Sequence, residues 1–194
     1  MKIISKSVEE TAEIAKGFIE KLSLGVSDKA IVVGLYGDLG SGKTTFTQAV
    51  AKLLNINECV TSPTFVIQKR YPILNTKLDK NIEYGISNVG KEKIKNDSKD
   101  QHSTFNIRPN FLTSKASVEN GNAPVVSYSS FIHIDAYRLD SGKELLALDF
   151  ERDLNDSRNL IFIEWPERVS DILPENHLKI NFKFVGENER EIEI

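Results

Sequence analysis

A short apolar run, Ala30-Ile31-Val32-Val33-Gly34-Leu35-Tyr36, leads directly into Gly37-Asp38-Leu39-Gly40-Ser41-Gly42-Lys43-Thr44, and a helical pattern follows. This order of segments restricts the fold more than any other stretch. The run is continuous and rich in β-branched residues, as in a strand buried on both faces, which calls for a sheet covered by helices. Over Thr45–Leu54, Phe46, Val50 and Leu53/Leu54 recur at helical spacing. The octapeptide between strand and helix matches G-x-x-x-x-G-K-[ST], in which closely spaced glycines let backbone N–H groups converge on phosphate oxygens. In that pattern Lys43 supplies charge to the β/γ-phosphates and the Thr44 hydroxyl ligates Mg²⁺, while the helix N-terminus adds its positive dipole end. Gly37, Asp38, Leu39, Gly40, Ser41, Gly42, Lys43, Thr44 and Thr45 are therefore the candidate nucleotide-binding residues, with a nucleotide and Mg²⁺ as the expected ligands.

The remaining elements fit one α/β domain over residues 1–194, a length that supports a sizeable core. Ser7-Val8-Glu9-Glu10 forms a capping-box pattern ahead of a helix from about Val8 to Leu22. Strands are expected at Phe65–Tyr71, Ser130–Tyr137 and Leu160–Ile163. A second capping-box pattern, Ser141-Gly142-Lys143-Glu144, opens a helical stretch through Leu148 and onward to Leu154. A short helix follows Pro166, and terminal strands span about His177–Val185 and Arg190–Ile194. Between Leu74 and Asn122 the composition turns to Asn, Lys, Asp and Ser with scattered apolar residues. Residues 74–122 read as a polar insertion, partly flexible, since so long a structureless loop is uncommon inside a compact domain. Its segment from Thr76 to Asn122 carries eight basic against six acidic residues, opposite in sign to the acidic remainder.

Three polar clusters sit where strands end. Asp135 follows Phe131-Ile132-His133-Ile134, as expected of a carboxylate holding a Mg²⁺–water shell. Glu164 follows Leu160-Ile161-Phe162-Ile163, placed to orient an attacking water or join the metal shell. Ser62-Pro63-Thr64 is a polar turn entering a strand, with hydroxyls suited either to turn capping or to sensing a γ-phosphate. The catalytic candidates are Lys43, Glu164 and Asp135, the metal candidates Thr44, Asp135 and Glu164, and Thr64 joins the nucleotide set. His133 reads as a packed or hydrogen-bonded histidine rather than a catalytic base. Trp165 fits a core plug after its strand.

Together these motifs resemble a known family, the bacterial TsaE ATPases of tRNA threonylcarbamoyladenosine biosynthesis. The resemblance rests on Ser7-Val8-Glu9-Glu10-Thr11, Gly37 through Phe46, Ser62-Pro63-Thr64-Phe65, His133-Ile134-Asp135-Ala136-Tyr137-Arg138-Leu139 and Glu164-Trp165-Pro166-Glu167, in the family's order. It implies a P-loop NTPase-like three-layer α/β fold with a mixed central sheet, here carrying a long hairpin insertion. It also implies a Mg-dependent ATPase, weak alone, that acts with the TsaB–TsaD transferase complex and reaches tRNA through that complex. The modified site is the adenosine next to the anticodon. By the same resemblance Thr11 and Arg190 approach the nucleotide away from the γ-phosphate, and Trp165 lies near the nucleotide or the partner surface. The chain departs from the family pattern in its insertion and in Glu189-Arg190, where Gly-Arg is usual.

Two other functions share the phosphate loop. A small-molecule kinase fits the size and the metal carboxylate, but Arg108 is the single arginine between residues 76 and 122, a poor match to an arginine-rich lid. A nucleotide-dependent binding module would bind ATP without turnover. A GTPase is disfavoured because Asn75-Thr76-Lys77-Leu78-Asp79 misses the Asn-Lys-x-Asp spacing. The net charge of −3 does not suggest direct, tight nucleic-acid binding. The single cysteine, Cys59, excludes an internal disulfide and reads as a small buried residue, in keeping with a reducing cytoplasm. The N-terminus lacks a signal-peptide core and no apolar run reaches membrane-spanning length, so a soluble cytoplasmic protein without membrane contact is expected.

Overall fold

The computed structural model describes residues 1–22, 27–63, 65–73 and 128–194. In chain order these form β1 (Lys2–Ser5), α1 (Val8–Leu22), β2 (Ile31–Tyr36), α2 (Lys43–Leu53), β3 (Gln68–Pro72), β4 (Ser130–Asp135), α3 (Gly142–Leu146), α4 (Phe150–Leu154) and β5 (Asn159–Glu164). A 3₁₀ turn (Pro166–Val169), β6 (Leu178–Phe184) and β7 (Arg190–Glu193) complete them. The seven strands make one sheet in the order β1-β7-β6-β2-β5-β4-β3. β6, β2, β5 and β4 run parallel, and the flanking strands β3, β7 and β1 are antiparallel to their neighbours.

Alternation along the parallel strands divides the core in two. Val33, Leu35, Phe131, Leu160 and Phe162 join Ala15 and Phe18 of α1 and Phe46 and Val50 of α2 on one face. Val32, Ile132, Ile134, Ile161 and Ile163 pack on the other face against Leu145, Phe150 and Val169. The helix–sheet–helix layering and mixed sheet expected from the sequence are present. Phe46 sits at the centre of the first face, with ring centroids 5.9 Å from Phe18, 5.5 Å from Phe182 and 6.5 Å from Phe162. Because Phe46 lies one turn into α2, this cluster anchors the helix that carries the phosphate loop.

Several boundaries differ from expectation for local reasons. The strand expected from Phe65 begins only at Gln68, because Val66 and Ile67 N–H groups turn back onto the Pro63 carbonyl and Ile67 adopts φ 65°. The helical stretch after Ser141 breaks into α3 and α4 at Asp149, which has φ 62°. Ser141 makes no side-chain cap, although Glu144 accepts from the Asp140 N–H at 2.9 Å. At Ser7 the cap does form, with Glu10 N–H donating to Ser7 Oγ at 3.2 Å and Glu10 Oε2 accepting from Lys6 N–H at 2.7 Å. Cys59, expected to be buried, is exposed on the segment that leaves α2.

β3 and β4 pair antiparallel from Gln68↔Ile134 to Pro72↔Ser130, and the Ile73 N–H continues the ribbon to the Ser129 carbonyl at 2.9 Å. Buried Asp153 of α4 accepts from Arg70 Nη2 at 2.5 Å and from Gln68 Nε2 at 3.0 Å, fixing the edge strand to the body. The insertion at 74–122 lies outside the described residues. Among the described residues no helix is long and apolar enough to cross a membrane.

Candidate functional site

The β2–α2 loop is built on three glycines with positive φ, Gly37 (132°), Gly40 (76°) and Gly42 (103°). Gly37 is required twice over, since a Cβ there would also drive into the Phe182 carbonyl oxygen of β6. The loop opens into α2 without a side-chain cap on the helix N-terminus. A cleft of about 680 Å³ lies above it. Leu39, Gly40, Ser41, Gly42, Lys43, Thr44 and Thr45 line the cleft, whereas Gly37 and Asp38 form the base of the loop outside its lining.

Lys43 folds over its own loop. Its Nζ donates to the Gly37 carbonyl at 2.5 Å and the Asp38 carbonyl at 2.8 Å, and lies 4.2 Å from the centre of the Trp165 ring. Burial pushes this ammonium below the ordinary lysine value, an effect opposed by the charges of Glu164, Glu167, Asp135 and Asp38. Ser41 is among the residues lining the cleft, and its Oγ is buried with no hydrogen-bond partner. Loop, uncapped helix end, cation and spare hydroxyl are together suited to an oxyanion group.

The two strand-end carboxylates meet beneath α2. Asp135 and Glu164 are register partners on the parallel strands β4 and β5, so both project from the α2-facing side of the sheet. Thr44 Oγ1 donates to Glu164 Oε1 at 2.9 Å, and lies 3.1 Å from Oε2. Asp135 Oδ2 accepts from Ser62 Oγ at 2.5 Å, and Oδ1 accepts from the Tyr137 N–H at 3.0 Å. This concentration of hard oxygen donors around Thr44 suits a magnesium ion, which favours one or two carboxylates with additional oxygen ligands.

The expected rim residues divide. Thr11 is buried at the cleft wall, its hydroxyl 2.7 Å from Ser5 Oγ. Arg190 reaches the rim, but its guanidinium is committed to backbone: Nε donates to the Gly40 carbonyl at 3.1 Å and Nη1 to the Gly186 carbonyl at 2.8 Å, over the Phe184 ring. Thr64 lies outside the described residues. Trp165, at φ 59°, lines the cleft while packing partly on the second core face, and its ring is 5.1 Å from Tyr137. Sequence reading missed the contributions of Ser5, Lys6, Ser7 and Val8 to the wall and of Glu187 and Asn188 to the rim. The end of β1 and the capped start of α1 bring in the first group and the β6–β7 turn the second; the capping-box pattern at Ser7 marks a helix start and carries no sign of a cleft wall. Sequence reading also missed the partner of His133, whose Nε2 is 2.9 Å from Glu164 Oε1.

Residues 5–81 and 109–192 match the family described as threonylcarbamoyl adenosine biosynthesis protein TsaE. The chain belongs to the TsaE family. A relative from Bacillus subtilis, a tRNA threonylcarbamoyladenosine biosynthesis protein TsaE, is 29% identical over 184 residues, covering 95% of this chain and 78% of the relative. The TsaE protein of Borreliella burgdorferi is 28% identical over 182 residues, covering 93% and 90%. The crystal structure of Bacillus subtilis YdiB superposes with a TM-score of 0.54 at 24% identity, covering 99% of this chain and 82% of that one, and shares the fold. The TsaE match skips residues 82–108, inside the polar insertion.

Proposed function

We propose that this chain is a Mg-dependent ATPase that acts with the TsaB–TsaD complex in forming threonylcarbamoyladenosine on tRNA in the cytoplasm. The observation that carries the reading is the Thr44 hydroxyl held on Glu164 beside Asp135, directly under the uncapped end of α2. ATP would take its phosphates from the Leu39–Thr45 amides and from Lys43, whose ammonium already coordinates two carbonyl oxygens and would exchange them for phosphate oxygens. Thr44, with Asp135 or Glu164, would hold Mg²⁺, which when bound neutralises charge developing on the phosphate oxygens.

In this reading Asp135 serves the metal while Glu164 orients water and receives its proton as the water oxygen bonds to the γ-phosphorus and the bridge to ADP breaks. Thr11 lies on the wall that would face the nucleoside end. Arg190 acts on the nucleotide through the loop, because its guanidinium clasps the Gly40 carbonyl. Phosphate release measured with the chain alone, with TsaB–TsaD, and with TsaB–TsaD plus tRNA tests this reading. Release stimulated by the complex is expected. Transfer of the phosphoryl group to a small metabolite, or tight binding with no release in any mixture, would refute it.

A further inference from the structure

We infer that His133 is a positioning residue, its Nε2–H holding the Glu164 carboxylate against the Thr44 hydroxyl. The inference rests on the hydrolytic reading and adds to it a residue that does not line the cleft. His133 lies in β4 opposite Phe162 of β5 and Lys69 of β3, and is fully buried. Along the same face of β4 the preceding alternate residue, Phe131, belongs to the apolar core, and the following one is Asp135. The imidazole therefore stands where the apolar face gives way to the polar floor of the site.

The surroundings of the ring fix its proton. Nε2 lies 2.9 Å from Glu164 Oε1, while Nδ1 is buried with no hydrogen-bond partner. An ionised carboxylate only accepts, so Nε2 carries the hydrogen and Nδ1 presents a bare lone pair. The reverse arrangement, with Glu164 donating and hydrogen on Nδ1, would bury an N–H donor without an acceptor, the more unfavourable defect. Glu164 Oε1 is thus shared between the His133 N–H and Thr44 Oγ1, which also approaches Oε2. A glutamate at a strand end has three side-chain torsions, and the imidazole donor selects the rotamer that faces Thr44.

Partners that orient a functional carboxylate typically change activity by about 10- to 100-fold when removed. With the full chain, TsaB–TsaD and tRNA, His133→Leu should lower kcat by about that factor while the nucleotide Kd, read from Trp165 fluorescence, stays within roughly threefold. His133→Gln, whose side-chain amide can donate from the former Nε2 position, should recover most of the turnover. Nitrogen NMR of the chain's three histidines, without nucleotide, should show His133 hydrogenated at Nε2 and bare at Nδ1. Wild-type kcat in His133→Leu, a folded His133→Gln no better than His133→Leu, or hydrogen on Nδ1 would each overturn the inference. Absence of stimulated hydrolysis in the wild type would refute the ATPase reading, and the NMR result would still decide the hydrogen bond.

Discussion

Replacing Glu164 in two ways separates what its carboxylate does for the fold from what it does for chemistry. Glu164→Ala leaves the His133 N–H buried without an acceptor, because the ring is fully buried and its other nitrogen already has no partner. An unmade bond of this kind costs about 1–3 kcal/mol. Glu164→Gln keeps a carbonyl oxygen for His133 and an amide beside the Thr44 hydroxyl while removing the charge. Relief of carboxylate desolvation favours both variants alike and so cancels from their difference. Glu164→Ala should therefore melt below Glu164→Gln by about 2–12 °C, taking roughly 2–4 °C per kcal/mol for a chain of this size. In turnover the variants should converge, each losing about 10²- to 10⁴-fold in complex-stimulated phosphate release as the general base is lost. Calorimetry without nucleotide and a phosphate-release assay with TsaB–TsaD measure the two effects. Equal melting temperatures would refute the hydrogen-bond argument, and hydrolysis by Glu164→Gln within a few-fold of wild type would refute the base.

Gly37→Ala should abolish nucleotide binding and destabilise the chain by more than the roughly 1 kcal/mol typical of a left-handed alanine, since the added methyl meets the Phe182 carbonyl; nucleotide titration and melting check both. Arg190→Gln should weaken nucleotide binding by about 3- to 10-fold through loss of the Gly40 clasp, and Arg190→Lys should not restore it, because an ammonium lacks the guanidinium fork. Asp153→Ala should cost roughly 1–3 kcal/mol in urea unfolding, leaving Arg70 and Gln68 without their buried acceptor but with access to water at Arg70. Deleting residues 76–122 shortens the β3–β4 connection by about three halvings, so on loop closure alone the chain should gain about 2 kcal/mol. A large loss of stability would show that the insertion packs on the body.

The layers of the fold were legible because each rests on a local signal. The apolar runs at 30–36 and 160–163, the helical spacing of Phe46 and Val50, and the apolar-rich segment 131–134 each mark an element locally. The failures are equally physical. β1 is four residues long and exists by pairing with β7, a partner almost the whole chain away, so no period reveals it. The late start of β3 follows from a turn closed on the Pro63 carbonyl and a left-handed Ile67, a conformation isoleucine rarely adopts and no propensity anticipates. Within the site, the loop and both strand-end carboxylates stood out by motif and position. The wall formed by Ser5–Val8 and the clasp made by Arg190 depend on which distant elements meet there.

The placement of the polar residues explains how one sheet face serves both stability and chemistry. On the α2-facing side, β5 reads Leu160, Phe162, Glu164 and β4 reads Phe131, His133, Asp135. Apolar side chains thus occupy the beginning of each strand and ionisable ones its carboxyl end, where α2 begins. The Phe46–Phe162–Phe131 cluster, stacked at its first pair and edge-on at its second, fixes α2 over the first part of the face. The Thr44 hydroxyl is thereby brought to Glu164 by packing that contains no polar group. Once α2 is seated, the carboxylates need only be aimed, and hydrogen bonds from His133 to Glu164 and from Ser62 to Asp135 do so. Core substitutions such as Phe162→Leu should therefore act on the site through the height of α2 above the sheet, changing affinity and turnover together, whereas changes at His133 should change turnover alone.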